Sequence, residues 1–167
     1  MTDELIDIFN EDGEVAGKAK RSEVHAKGHI HKTVVFFLLD KEGRVFVNQR
    51  TENKEFYPEY WSIAFGGHVP AGETHDTAVV REGKEEADVD GIPIFITSFK
   101  KRYDKEDKEN IKVYAFVVEN KPKLYPDEIK HGKFMTMEEL EQKMKKEKFL
   151  PETKELYQIL KDYKKLE

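Results

Sequence analysis

Cysteine is missing from the whole sequence of 167 residues. Without it the chain can form no disulfide, supply no thiolate nucleophile and bind no metal through sulfur. Long apolar runs are missing too, since none approaches the length that spans a bilayer, and the first ten residues lack the basic and apolar pattern of a secretion signal. We therefore predict a cytoplasmic protein that does not enter a membrane.

An excess of positive charge is likewise absent. The chain carries 29 Lys and Arg residues against 34 Asp and Glu residues, which gives a net charge of -5. Proteins that hold a nucleic acid polymer need a basic surface, so we predict no such partner. The length suits one folding unit, and because no repeat is visible we predict a single domain over residues 1–167.

What is present is a cluster of charged residues in the segment 67–89, GHVPAGETHDTAVVREGKEEADV. Its second half favours a helix, because Thr74 suits the N-cap position and no proline follows. At 3.6 residues per turn, Glu82, Glu85 and Glu86 would share an arc of about 100°. Three carboxylates this close repel one another unless a cation lies among them. Oxygen ligands of this kind predict a site for Mg²⁺ or Mn²⁺.

A neighbouring face of the same helix, which we expect to end at Ala87, is apolar or small. Val79, Val80, Gly83 and Ala87 would pack against a sheet. Glycine inside a helix lowers its stability by about 1 kcal/mol relative to alanine. A close approach of the helix to strands would explain why Gly83 is there.

Six residues in this segment follow a fixed spacing, and they are Gly67, Glu73, Arg81, Glu82, Glu85 and Glu86. The pattern resembles the signature of the Nudix hydrolases, which cut diphosphate linkages in nucleoside diphosphate derivatives. The resemblance implies that the Gly67 carbonyl and the three helical glutamates bind the metal. Arg81 would pair with Glu73 and orient the site.

Two positions depart from this signature. Gly83 stands where the family usually has an aliphatic residue, and Asp88 stands where it usually has a glycine that ends the helix. Aspartate adopts the left-handed conformation more readily than most residues, so the helix can still end at this point. Neither departure removes a predicted metal ligand.

The rest of the chain predicts an α/β fold, which the resemblance makes a Nudix-type α/β/α sandwich. A mixed, curved sheet would lie between the Nudix helix and C-terminal helices within residues 136–167, and residues 1–30 would form an N-terminal β-hairpin and a connection. Further strands are expected at 33–40, 44–50, 62–65, 92–103, 111–118 and 133–135. The strands 33–40 and 44–50 would pair as a hairpin, as would 92–103 and 111–118 across a turn at 104–110. The C-terminal helices are expected at 136–146 and from 151 or 152 to 166.

Cationic and aromatic residues follow the strand 44–50. Arg50 and Lys54 are predicted to bind the phosphates that are not under attack. Tyr57 and Trp61 belong to an aromatic loop that would either cover part of the substrate or pack internally, and both interpretations stay open.

Three histidines, His25, His31 and His68, either bind a further metal ion or lie in connections that happen to be rich in histidine. The order of elements from residue 3 to about residue 140 resembles the Nudix branch related to isopentenyl diphosphate isomerase, whose histidine metal site these residues would echo. The isomerase moves a proton across a double bond with a cysteine and a glutamate. Here Phe65 or Gly66 occupies the region where that cysteine would lie.

We therefore predict a pyrophosphohydrolase that uses Mg²⁺ or Mn²⁺ on a small-molecule diphosphate. Glu85 or Glu128 would take the proton of the attacking water, because the resemblance places the loop that carries Glu128 near the metals. An isomerase-like enzyme and a non-catalytic nucleotide-binding protein are the alternatives. The apolar stripe of the last helix would pack in the core or form a homodimer contact, and its members are Leu156, Ile159, Leu160 and Tyr163.

Overall fold

The computed structural model describes residues 3–102 and 108–166, and their strands form one curved mixed sheet of nine strands that does not close. The strands are β1 Leu5–Phe9, β2 Val15–Lys20, β3 Ile30–Leu39, β4 Val45–Arg50, β5 Trp61–Ser62, β6 Phe65–His68, β7 Ile94–Lys101, β8 Lys108–Val117 and β9 Ile129–Met135. The helices are α1 Arg21–Ala26, α2 His75–Ala87, α3 Met137–Lys146 and α4 Thr153–Lys165. Most of the turn predicted at 104–110 lies outside the described residues, and residues 108–110 begin β8.

Strand β3 is the centre of the sheet. It pairs along its whole length with β8 in parallel, and β1, β6 and β4 share its other edge. Phe36, Phe37 and Leu38 are fully buried because helices cover both faces of this strand. The strand predicted at 33–40 is confirmed, although it begins at Ile30 rather than at residue 33.

Strand β4 does not form the predicted hairpin with β3. One pair of Cα partners, Leu39 and Val45, joins the two strands. The edge of β3 that a hairpin partner would need is occupied by β6. Strand β4 pairs instead with β9 over its whole length, so β9 starts at Ile129 rather than at residue 133.

Two short strands replace the single one predicted at 62–65. Trp61 and Ser62 pair with β4, whereas Phe65 to His68 pair with β3. The change of partner between Ser62 and Phe65 carries the chain across the sheet. It places Gly67 and His68 beside the central strand.

Helices cover both faces of the sheet, which confirms the α/β/α sandwich. On one face α2 packs against a core that includes Phe36 and Phe116. On the other face α3 and α4 pack against a core that includes Phe37 and Val47. The apolar stripe of the last helix lies in this second core, with Leu156 and Leu160 buried and Ile159 and Tyr163 partly buried.

Helix α2 begins and ends as predicted. The Thr74 hydroxyl accepts a hydrogen bond from the backbone N–H of Thr77 at 3.2 Å, and Asp88 ends the helix in the left-handed conformation with φ of 53°. The predicted packing face is wrong at one position, because Val80 is 48% exposed. One further residue along the helix turns the side chain by about 100°, which moves Val80 away from the sheet that Val79 contacts.

The predicted N-terminal hairpin is confirmed by the antiparallel pairing of β1 with β2. The connection after it contains the short helix α1, which carries His25. Helix α3, which was predicted at 136–146, opens with a capping box of Thr136 and Glu139. The longest described helices, α2 and α4, have 13 residues, and no described helix has the length and apolar character needed to cross a membrane.

Candidate functional site

Arg81 lies among the carboxylates of α2 and of the preceding loop. Its Nε donates to Glu73 at 3.3 Å, and its Nη1 donates to Glu82 at 2.9 Å and to Glu85 at 3.1 Å. Its Nη2 is buried and has no hydrogen-bond partner within residues 3–102 and 108–166. One guanidinium therefore offsets part of the repulsion among three carboxylates and holds their orientation.

Gly67 of β6 lies directly against the carboxylate of Glu82. A Cβ added to Gly67 would lie 2.3 Å from Glu82 Cδ and 2.4 Å from its Oε1, so no larger residue fits without moving that side chain. Glu82 is 8% exposed. Burial raises the pKa of Glu82 to about 7, against the opposing effect of Arg81. The structure thus places Gly67, the first residue of the predicted segment, against Glu82 of its helix.

A cavity of about 530 Å³ lies next to this contact, since Gly66, the residue before Gly67, lines it. Glu86 of α2, Glu128 and Lys54 all line it, and Lys54 forms an ion pair with Glu128. Burial and the nearby Glu128 carboxylate raise the pKa of Glu86, whereas Lys54 opposes this shift. Residues from three distant parts of the chain therefore surround one space that carries both signs of charge.

Arg50 also lines the cavity, but its guanidinium is engaged with the following loop. It donates to the backbone carbonyl of Phe56 at 2.9 Å and to that of Tyr57 at 3.3 Å. Tyr57 has a φ of 51°, which is uncommon for a residue with a side chain, and its ring packs edge-on against Tyr60. In this structure Arg50 fixes the shape of the aromatic loop.

Trp61 does not line the cavity and packs instead against the core beneath α3 and α4. Lys143 of α3 lies over the Trp61 ring, 3.7 Å from its centroid. The structure therefore does not bring Trp61 to the same space as Lys54 and Glu128.

The three histidines converge from α1, β3 and β6. One ring nitrogen of each can be chosen so that all lie within 4.8 Å of one another, and His25 Nε2 lies 3.1 Å from His68 Nε2. His31 is fully buried, and its Nδ1 lies 3.1 Å from the carbonyl oxygen of His29. A hydrogen bond at Nδ1 would direct Nε2 toward the other two rings, as in many metal-binding histidines. Glu109, the acidic residue next to His31 in the sheet, pairs with Lys101 at 3.4 Å.

Besides the charged residues Arg21 and Glu152, sequence reasoning missed two uncharged polar residues of the cavity, Asn48 and Ser62. They are directly opposite one another on β4 and β5. A signal for Asn48 was available, because it directly follows three apolar strand residues, Val45, Phe46 and Val47. That pattern predicts a polar contact inside the fold but does not show which element faces it.

The residues around Gly67 fit a divalent cation. Oxygen ligands dominate the site, since Glu82, Glu85 and Glu86 come from one helix and the Gly67 backbone touches the first of them. Burial raises the pKa values of Glu82 and Glu86, which means that it disfavours their charged forms. A bound cation would stabilise those charged forms. Hard ions such as Mg²⁺ and Mn²⁺ prefer this donor set.

Comparison with known proteins gives a consistent result. A family model described as the NUDIX domain matches residues 29–158. An uncharacterised Nudix hydrolase of Streptomyces coelicolor is 41% identical over 102 residues, which cover 61% of this chain and 56% of that relative. An uncharacterised Nudix hydrolase of Listeria monocytogenes is 29% identical over 150 residues, or 87% of each chain. The crystal structure of DR0079 from Deinococcus radiodurans matches with a TM-score of 0.78 and 26% identity, covering 93% of this chain and 98% of that one.

Proposed function

This chain belongs to the Nudix family and is a Nudix hydrolase, and we propose that it cleaves a diphosphate bond in a nucleoside diphosphate derivative or a related metabolite. The observation that carries the proposal is the joint position of the acidic helix and the cavity. Glu86 belongs to both, so a cation held by the helix would lie at the wall of a space that Lys54 makes attractive to phosphate.

The proposed cation is Mg²⁺ or Mn²⁺, held by the Gly67 carbonyl, Glu82, Glu85 and Glu86. Such an ion, when bound, neutralises phosphate oxygens and lowers the pKa of a coordinated water. Nudix enzymes generally use divalent metals, which supports this assignment.

The remaining roles belong to side chains around the cavity. Arg81 would keep the carboxylates oriented, and Lys54 would bind a phosphate oxygen after leaving its ion pair with Glu128. Glu128 would then be available to accept the proton of the attacking water. Glu85 is the other candidate base, but it does not line the cavity, whereas Glu128 does, which favours Glu128. Arg50 would act by holding the loop that carries Tyr57.

The substitution Glu86→Gln tests the metal assignment. It keeps the shape of the side chain and removes its charge, so we expect turnover to disappear while the far-UV circular dichroism spectrum stays unchanged. Glu138→Gln, at an exposed position on α3, is the matched control and should keep full activity. The assay would screen nucleoside diphosphate derivatives with Mg²⁺ or Mn²⁺ in ¹⁸O-labelled water and ask which phosphorus acquires the label. Unchanged turnover in Glu86→Gln would refute the assignment.

Two other functions make different predictions. An isomerase-like enzyme would interconvert isopentenyl and dimethylallyl diphosphate, but Gly66 lines the cavity without any side chain that could carry a proton. A product assay with isopentenyl diphosphate decides this case. A nucleotide-binding protein without turnover would bind substrate and show no labelled product in either the wild type or the control.

We also propose that His25, His31 and His68 hold a separate transition-metal ion, since neutral imidazoles suit Zn²⁺ and similar ions better than Mg²⁺. Metal analysis of the purified protein tests this proposal. His68→Ala should lose the ion, Glu86→Gln should keep it, and equal metal content in both variants would contradict the proposal.

A cytoplasmic location, a single domain over residues 1–167 and a homodimer stay predictions, and the last can be tested by light scattering.

A further inference from the structure

Asn48 carries a hydrogen-bond donor that the folded chain does not use. Its side chain is 4% exposed, and its Nδ2 has no hydrogen-bond partner within residues 3–102 and 108–166. A buried donor without a partner lowers stability by about 1–3 kcal/mol. Most folded proteins satisfy such groups, so this amide requires an explanation.

The neighbours of Asn48 explain why the donor is left over. Its Cα partner on β9 is Gly132, which has no side chain to offer. Its Cα partner on β5 is Ser62, whose hydroxyl donates to the carbonyl oxygen of Ala64 at 2.8 Å and accepts from the Ala64 N–H at 3.3 Å. Neither cross-strand neighbour accepts a hydrogen bond from the amide nitrogen.

Asn48 is one of the residues that line the cavity of about 530 Å³, together with Lys54, Glu86 and Glu128. The cavity also has apolar walls, which are formed by Val35, Phe65, Ile129, Leu150 and Leu156. This volume lies in the range of about 300–1,000 Å³ typical of small-molecule sites. Its lining therefore combines a neutral polar residue and apolar surface with charged side chains, which are those of Arg21, Arg50, Lys54, Glu86, Glu128 and Glu152.

We propose that Asn48 is a specificity-determining residue that donates a hydrogen bond to the group attached to the diphosphate. The matching group is mainly apolar and bears a carbonyl oxygen or ring nitrogen, as a nucleobase does. A hydrocarbon tail would leave the donor unsatisfied, which discriminates against it. This inference rests on the proposed function and names the part of the substrate that the cavity selects.

Binding measurements with uncleavable ligands test the inference without depending on turnover. The probes are the α,β-methylene analogues of ADP and UDP and, as a ligand without an organic group, methylenediphosphonate, each titrated with Mn²⁺ present. Wild-type protein should bind at least one nucleoside analogue more tightly than methylenediphosphonate. The variant Asn48→Leu should weaken that binding about tenfold or more and leave methylenediphosphonate binding unchanged.

The same variant separates a role in recognition from a role in structure. Leucine has nearly the shape of asparagine and removes the unpaired donor, so Asn48→Leu should raise the midpoint of urea unfolding. Asn120→Leu, at an exposed position, is the matched control. It should leave binding unchanged and should not raise the unfolding midpoint.

A structural role for the amide would instead lower the unfolding midpoint of Asn48→Leu, and that result would overturn the inference. Equal binding of nucleoside analogues by the wild type and Asn48→Leu would overturn it as well. Failure of the proposed function looks different, because the wild type would then bind the analogues and hydrolyse no diphosphate in the labelled-water assay.

Discussion

The contact between Gly67 and Glu82 gives a prediction whose size can be worked from distances. Gly67 is not among the glycines with positive φ, so alanine meets no backbone strain there. Its Cβ would lie 2.3 Å from Glu82 Cδ, and ordinary contact begins near 3.4 Å, so the carboxylate must retreat by about 1.1 Å (3.4 minus 2.3). The displaced atoms end a flexible side chain, and the fold can therefore absorb the change.

Metal sites tolerate much less displacement than this. Ligand distances hold to within about 0.2 Å, and a misplacement of about 1 Å at an active site lowers the rate by about 100-fold. For Gly67→Ala we expect kcat/KM to fall by about 100-fold and the free energy of unfolding to fall by no more than about 1 kcal/mol. Steady-state kinetics with Mn²⁺ and urea unfolding of the metal-free protein measure the two quantities.

A double-mutant cycle shows whether the effect acts through Glu82. In a Glu82→Ala background the added methyl group meets no carboxylate, so Gly67→Ala should cause no further loss of Mn²⁺ affinity. Losses that add in the double variant would refute the reasoning, as would wild-type kcat/KM in Gly67→Ala.

Other consequences of the structure can be measured on stability alone. In Gly83→Ala the new Cβ would lie 2.9 Å from the buried Phe116 ring. Overpacking of about 1–3 kcal/mol should exceed the helix-propensity gain of about 1 kcal/mol, so urea unfolding should show a net loss. The pKa of Glu82 is raised from 4.5 to about 7, so its stabilising contribution is complete below pH 4.5 and is lost as the pH rises through about 7. The metal-free wild type should therefore lose stability between pH 5 and pH 8 relative to Glu82→Gln, and parallel pH profiles of the two proteins would contradict this. Thr136→Ala should lower unfolding stability by about 1 kcal/mol because it removes the N-cap of α3, whereas exposed Thr77→Ser should change it little.

Features that depend on residues close in sequence were predicted correctly from the sequence. Helix α2 starts at the Thr74 cap and ends at Asp88 because capping depends on residues that are neighbours in sequence. The same holds for the capping box at Thr136, and the continuous apolar run TVVFFLL indicated that β3 is a buried strand. The spacing from Gly67 to Glu86 was sufficient to indicate the family that the comparisons show.

Strand pairing could not be predicted from the sequence in the same way. A hairpin between β3 and β4 was the simplest arrangement, but β6 takes the edge of β3 and leaves β4 to β9. Pairing depends on which distant strand buries the most apolar surface, and that competition has no local signal.

For the same reason, the sequence could not show which residues line the site, because that too depends on contacts between distant segments. The sequence by itself determined the acidic helix, its caps and the lack of a thiol, since each is a property of residue type and spacing. Only the tertiary structure decided that Lys54, Glu86 and Glu128 share one cavity, that Asn48 lines it, and that Trp61 does not. Those outcomes depend on which face of a strand each side chain occupies, and a shift of one residue in register reverses every face.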